Sequence, residues 1–468
     1  MFSNYIKFYQ DIFKNNPQII NKIIGSTSKK YFYIFYNDQM IDKKLLNYLI
    51  SPILNDVINK DDISILFNSL IDLVEISKFS IEDIEKNIYS GALLIYCFKT
   101  NKLYSINIQG MMSRTPNIDS QEIVYSGSKD SLIESLDVNL SLIYKKIKTS
   151  LLVNKEYQVG DYTKTKISLL YFENEIDKNM LNEIQNRLNK IKAKSLTSIG
   201  DLATHLFNSA NFVPLFAYTS KVDLIEQALI NGKAVIIIDG IPEGIILPIS
   251  LFNFGSFDDA INESIIVTIF SKIFSIIGIF ISIFLLGLYT SIVLYEPDLI
   301  PYTILINVFN AYKGVSLSGE IEIIITYLFF QIFLQAGNKS LSGLSQSILI
   351  IGSLLIGQIA VSSGFISQIT LIIVAISLFS CYIISNNITL NISFMFLQLI
   401  NFISSILFGF IGYLVSTIMI LIYLNSLESI SVPFLYPFSH LNFSKIKEAL
   451  FSSTYIKKKG NNKWNISY

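Results

Sequence analysis

Two cysteines and two histidines in 468 residues leave little room for thiol or metal chemistry. Cys97 and Cys381 lie far apart in the chain, so no disulfide framework is expected, and both thiols read as buried or lipid-facing. Without a Cys/His cluster a zinc site has no support. His205 and His440 belong to no Ser/His/Asp arrangement. "GSTSKK" at Gly25 lacks the first glycine and the Gly-Lys-Ser order of a phosphate loop. The carboxylate pairs Asp61-Asp62 and Asp258-Asp259 sit in polar, turn-like settings that suit solvated loops better than general acid/base dyads. Basic residues interleaved with aromatics, the mark of a nucleic-acid surface, are missing too. An enzyme is therefore not expected, and neither is a cofactor. The first residues, "MFSNYIKFYQDIFKNNPQ", lack the continuous apolar core and small-residue cleavage site of a secretory signal.

Charge is missing in a more informative way. Acidic and basic residues balance at 36 each, yet between Ser340 and Leu427 there is no Asp, Glu, Lys or Arg. That gap is several times the roughly 20 residues with which a helix crosses a bilayer. The second half is read as membrane-embedded and the first as soluble. The composition changes near Lys272.

In the first half, strand-like and helical patterns alternate. "KYFYIFYN" reads as a strand, "MIDKKLLNYLISPIL" as a helix, and "ALLIYCF" with "KLYSINI" as a hairpin. The stretch 126–148 carries Leu132, Leu136, Leu140 and Ile143 at helical spacing after a turn. A second unit follows: "KTKISLLYF" as a strand, a helix opened by Asp177, a helix closed by Gly232, the buried strand "KAVIIIDG", and "IPEGIILPISLF" as a hairpin-like return. The expected soluble region is two small α/β subdomains, 1–155 and 156–271. A helical polytopic membrane domain, 272–442, and a basic tail, 443–468, come after it.

Four apolar stretches are candidate spans: 273–294, 346–362, 365–385 and 393–424, the last long enough to tilt, kink or protrude. Lys272 before the first and "IKKKGNNK" after the last place both termini in the cytosol by the positive-inside tendency. Between the first two spans Pro297 and Pro301 punctuate the chain. The helix "EIEIIITYLFFQIFLQAG" carries Glu320, Tyr327, Gln331, Gln335 and Asn338 on one side. It reads as re-entrant or interfacial with its polar edge against protein or water, or as a surface helix lying on the bilayer.

Two spans also bear stripes of small and polar residues: Gln398, Asn401, Ser405, Gly409, Gly412 and Ser416 in the last, and Gln346, Ser353, Gly357, Val361 and Gly364 in the second. Such stripes are either packing seams that let helices approach closely or the lining of a wet path. A proton relay would place ionisable groups at this depth, and these spans have none. Past the last span, "SISVPFLYPFSH" holds Pro433 and Pro437 among Phe434, Tyr436 and Phe438. The prolines stop the helix, and the aromatics suit the headgroup level.

The order of these motifs resembles the A subunit of the GerA-type spore germinant receptors over nearly the whole chain. "GSKDSLIESLDVNLSLIYKKIK" is similar to that family's Gly-Pro-Arg-Glu-Gly-Phe-x-Glu-Ser block, and "GKAVIIIDGIP" to its Val-Asp-Gly-x-Pro strand. "YEPDLIPY" is similar to its Pro-Glu-x-Ile-Pro-Thr loop, and "QAG" and "GSLLIGQIAVSSGFIS" to its Glu-Ala-Gly and Gly-rich segments. The proline elbow is similar to Gly-Val-Pro-Tyr-Leu-x-Pro. The departures mark a divergent member. Along the helix before Ala-Gly, where the family repeats charges, this chain keeps Glu322 but has Tyr327, Gln331, Leu334 and Gln335. Ser128, Lys129, Ser316 and Ser318 replace two Pro-containing segments.

The resemblance implies a subunit in the inner membrane of a dormant spore. It would assemble with a transporter-like B subunit and a lipoprotein C subunit and associate with itself into a ring. That ring would be a ligand-gated channel releasing monovalent cations, with Glu322 and the two stripes as candidate path or packing positions. A secondary transporter or a non-conducting orphan scaffold is the alternative. A transporter would be expected to show internal repeats, and the membrane half offers no convincing one.

Overall fold

The computed structural model describes residues 16–25, 30–60, 62, 64–70, 72–76, 81–110, 130–207, 211–251, 265–339, 343–383 and 388–440. The N-terminal signal question, the pairs at 61–62 and 258–259, the glycine of "GSKD" with its Ser128 and Lys129, and the basic tail fall wholly or partly outside them. The chain divides into two units. The first holds nearly all of the α/β region, and the second holds 249–456 together with the short segment 210–215.

The α/β unit contains one topology twice. Its first sheet is built from β1 (Ile19–Gly25), β2 (Lys30–Asn37), β3 (Val74–Ile76), β4 (Ala92–Cys97) and β5 (Lys102–Asn107), in the order β1-β2-β4-β5-β3. Helices α1 (Ser51–Lys60) and α2 (Ser64–Ser69) lie in the chain between β2 and β3, and α3 (Ile81–Ile88) lies between β3 and β4. Asp42 opens the run into α1, its carboxylate accepting from the amides of Lys44 and Leu45. The second sheet repeats the plan with β6 (Leu152–Val159), β7 (Thr165–Phe172), β8 (Ala217–Thr219), β9 (Ala234–Ile238) and β10 (Gly244–Leu247), in the order β6-β7-β9-β10-β8. Two helices, α5 (Lys178–Asn189) and α6 (Ile199–Phe207), again separate the second strand from the third. One helix, α7 (Val222–Ile230), separates the third from the fourth. Pairing is antiparallel throughout both sheets.

The central strands explain why apolar runs rather than alternation mark them. Every residue of β4, β9 and β10 is buried, so both faces of these strands are covered.

Helix α4 (Leu136–Lys146) sits between the two copies in sequence and touches both. It begins at Leu136 rather than near Leu132, because the chain before it is pinned in an extended form. The buried Asn139 amide accepts from Ile133 N–H and donates to Ile133 C=O, at 2.7 and 2.6 Å, and the amide of Leu132 donates to Ser220 C=O. At its far end Tyr144 stacks on Tyr89, with centroids 5.5 Å apart, and its hydroxyl accepts from Gln18 Nε2 at 2.6 Å. Burial pushes the pKa of both phenols upward. They therefore act as neutral parts of the core, Tyr144 hydrogen-bonded to Gln18 and Tyr89 held by its ring contact.

The helical unit is built on α8 (Ile265–Tyr295). This helix starts before Lys272, which thus lies within it rather than ahead of it. There follow a 3₁₀ turn opened by Pro297, then α9 (Tyr302–Tyr312) with Pro301 immediately before it, α10 (Gly319–Lys339), α11 (Gly343–Ser362) and α12 (Gln368–Phe379). Both prolines stand where a missing N–H costs nothing.

The last apolar stretch departs most from expectation. Its helical residues, α13 (Ile388–Ser426), are interrupted at Gly409 by φ +62° and ψ −143°. Asn401 Nδ2 donates to Ser416 Oγ at 3.0 Å and to Thr417 Oγ1 at 3.1 Å, and Ser404 Oγ donates to Gly412 C=O at 2.9 Å. In a straight helix residues 401 and 416 would be about 22 Å apart. These bonds require two antiparallel legs, 388–408 and 410–426, turning at Gly409. The single kinked or protruding span expected for 393–424 is a helical hairpin.

Three helical segments are long and apolar enough to cross a membrane: Ile269–Tyr295, Gly319–Gly337 and Thr389–Ser426. The second lies within α10, expected as an interfacial or re-entrant helix, and it has the length to span. Among the described residues, the expected spans at 346–362 and 365–385 correspond to the shorter apolar helices Ile351–Ser362 and Gln368–Ile383.

Candidate functional site in the helical unit

The polar stripe of α13 is sealed inside the helical unit. Gln398, Asn401 and Ser405 are fully buried, and Ser416 nearly so. Ser405 Oγ returns its proton to the Asn401 carbonyl. Gly287 of α8 lies directly against Asn401 and Ser405; a Cβ there would come within 2.8 Å of Ser405 Oγ. Gly412 leaves room for the Ser404 carbonyl of the facing leg. Gly409 makes the turn, and Tyr295, the last residue of α8, packs on it and donates its hydroxyl to Ile406 C=O. These residues join the hairpin to α8 through small side chains and interhelical hydrogen bonds.

The stripe of α11 is placed differently. Ser353, Gly357 and Val361 are half-buried, and Gly357 faces Leu371 of α12. The larger residues of this helix stand out from the unit, with Leu354 69% and Ile359 63% exposed. Gly364 follows the helix at φ +69°, and the Gly314 carbonyl fills the space that a Cβ would need there, a conformation and a contact that only glycine accommodates. Gln346 lies in α11, but its side chain is outside the described residues.

Glu322 is the one fully buried carboxylate among the described residues. It occupies the first turn of α10. One carboxylate oxygen, Oε1, accepts the backbone N–H of Ser367 at 2.7 Å. Ser367 is the N-cap of α12, and its hydroxyl accepts from Thr370 N–H, so the carboxylate faces the positive end of a helix. A chain of hydroxyls continues from there. Ser367 Oγ bonds Thr370 Oγ1 at 2.9 Å, and Thr370 Oγ1 meets Tyr289 at 3.0 Å and Tyr312 at 3.2 Å. The polar edge expected along α10 divides accordingly. Glu322 and Tyr327 are buried, and Tyr327 accepts from the half-buried Gln331 at 3.0 Å. Glu320 and Gln335 are exposed.

Sequence reasoning missed Ser367, Thr370, Tyr289 and Tyr312. Only Ser367-x-x-Thr370, just after a glycine, carried a usable signal, that of a helix N-cap.

The proline elbow closes the unit. Strands β11 (Glu428–Ser429) and β12 (Val432–Pro433) form a two-residue hairpin with Ile430 and Ser431 at positive φ. Phe434 is fully buried; its N–H donates to Leu427 C=O and its C=O accepts from Leu251 N–H. Ser429 Oγ accepts from Ile249 N–H at 3.0 Å and donates to Leu215 C=O at 2.6 Å. The elbow is thus a clamp on two other segments of the same unit, 211–215 and 249–251. Pro437 is buried in it and Pro433 ends its second strand.

A duplicated antiparallel α/β unit followed by a helical unit with three segments long and apolar enough to cross a membrane marks a membrane protein. The chain belongs to the Bacillus/Clostridium GerA spore germination protein family, whose model matches residues 7–463. Spore germination protein XA of Bacillus anthracis is 29% identical over 444 residues, covering 94% of this chain and 90% of that protein. Spore germination protein KA of Bacillus subtilis (strain 168) is 25% identical, with 96% and 83% covered. Among solved structures, the N-terminal domain of the A subunit of the Bacillus megaterium spore germinant receptor GerK3 matches at 20% identity and a TM-score of 0.39, covering 52% of this chain and 93% of that one. Identities in the twenties agree with a divergent member.

Proposed function

We propose that this chain is the A-type membrane subunit of a nutrient germinant receptor in the spore inner membrane. It associates with copies of itself into a ring that releases monovalent cations when a nutrient engages a transporter-like partner, and a lipoprotein completes the complex. Both termini face the cytosol. The observation that carries this reading is the family match across residues 7–463, which spans the α/β and helical parts together.

The placement of the stripes supports a division of roles. Asn401, Ser405 and Ser416 of the α13 stripe bond within the unit, which suits a packing seam there, while Gln398 keeps both of its side-chain polar atoms without a partner among the described residues. Helix α11 combines small residues with large apolar faces that its own chain leaves uncovered, which suits a helix that meets neighbouring copies around a path. On this reading Val361 contributes to the constriction. Val361→Ala removes two methyl groups and is expected to cause premature germination of otherwise normal spores. Unchanged dormancy and an unchanged nutrient response would remove α11 from the path.

A further inference from the structure

The second oxygen of Glu322, Oε2, is buried and has no hydrogen-bond partner. Among the described residues no lysine, arginine or histidine forms an ion pair with it. An unneutralised carboxylate in an apolar interior is costly enough that something must cancel its charge. The N-terminus of α12 supplies the equivalent of about half a positive charge, and it is committed to Oε1 through Ser367 N–H. A proton on Oε2 would remove the charge but would leave a buried O–H with no acceptor among the described residues. A cation satisfies both the charge and the empty coordination at once.

The surroundings supply the other ligands such an ion needs. Thr370 Oγ1, Tyr289 and Tyr312 form a cluster of hydroxyl oxygens connected to Glu322 through Ser367. Glu322 and Thr370 are fully buried and Tyr289 is 8% exposed, while Tyr312, half-buried, closes the outer side of the cluster. A single carboxylate with neutral hydroxyls suits a hard, singly charged ion. A divalent ion would leave about one positive charge uncancelled.

We propose that Glu322, with the hydroxyls of Thr370, Tyr289 and Tyr312, holds one dehydrated monovalent cation where α8, α9, α10 and α12 meet. Its role is structural: the ion ties the start of α10 to the start of α12. The site draws no ligand from the α11 stripe and does not depend on α11 lining a path.

Equilibrium binding of ²²Na⁺ and ⁸⁶Rb⁺ to the full-length protein in detergent, at constant ionic strength with choline chloride, tests this. The expected result is saturable binding of at least one of the two ions, near one per chain. Glu322→Gln should weaken it by roughly tenfold or more, as loss of a charged ligand implies, and Glu320→Gln, at an exposed position one turn-start away, should leave it unchanged. If Glu322→Gln does not fold, Thr370→Val provides the same comparison with the carboxylate intact and should also weaken binding. Absence of saturable binding of either ion to the folded wild-type protein overturns the proposal in favour of a proton, as does unaltered binding in folded Glu322→Gln or Thr370→Val. The readout is binding to the isolated chain, so a negative result leaves the receptor assignment standing, and an inert Val361→Ala leaves this site standing.

Discussion

The hairpin at Gly409 can be tested by distance. Ile392 and Ile422 lie on opposite legs and are 46% and 64% exposed, so spin labels fit at both without entering the core. A continuous helix would separate the two positions by about 45 Å, thirty residues at about 1.5 Å each. Antiparallel legs packed at interaxial distances of about 8–10 Å bring them to roughly 10–20 Å. Both native cysteines are buried and do not compete for the label. Pulsed electron–electron resonance on Ile392→Cys/Ile422→Cys in detergent should give the short distance. Gly409→Ala supplies the energetic half of the test. An alanine at φ +62° and ψ −143° costs about 1–3 kcal/mol of backbone strain. Its Cβ would also approach the Tyr295 ring at 2.9–3.3 Å, an overpacking of about 1–3 kcal/mol. Together these predict a loss of about 2–6 kcal/mol, read as a lower thermal midpoint and less protein in the membrane. A distance above 40 Å, or an unchanged midpoint in Gly409→Ala, would refute the hairpin and return the stripe to a single span.

Ser429→Ala strips the elbow of both its side-chain bonds and leaves Ile249 N–H and Leu215 C=O without that partner; a loss of about 2–5 kcal/mol should appear in the thermal midpoint of the full-length protein. Asn139→Ala frees the backbone of Ile133 and should cost about 2–4 kcal/mol, with faster hydrogen exchange over 130–147 and little change in the helical unit.

Much of the α/β unit is legible in the sequence because its central strands are long apolar runs. "KYFYIFYN", "ALLIYCF" and "KAVIIIDG" correspond to β2, β4 and β9 within a residue or two. The duplication is not legible. It depends on β3 and β8, three residues each, whose place in their sheets comes from pairing with β5 and β10 rather than from any pattern of their own. The late start of α4 is hidden for a similar reason, since the side chain of Asn139 decides it by holding Ile133 extended. In the helical unit, hydropathy marks where apolar residues are but not where the chain reverses. Gly409 looks like one small residue among several in a stripe, and only its dihedral angles separate a turn from a packing contact.

The stripes show where sequence reasoning must stop. A packing seam and a water path call for the same residues, because both need small side chains that approach closely and polar groups that can bond across a gap. What separates them is the partner each polar group has. Asn401 spends its amide protons on Ser416 and Thr417, and Ser405 spends its own on the Asn401 carbonyl, as a seam requires, but Asn401 Oδ1 and both polar atoms of Gln398 keep no partner among the described residues. Glu322 differs from these neutral amides in charge: it is a single buried carboxylate, unremarkable beside the longer stripes, that keeps one oxygen without a partner. An uncompensated charge in a sealed place, rather than the count of polar residues along a helix, is the feature that points to an ion.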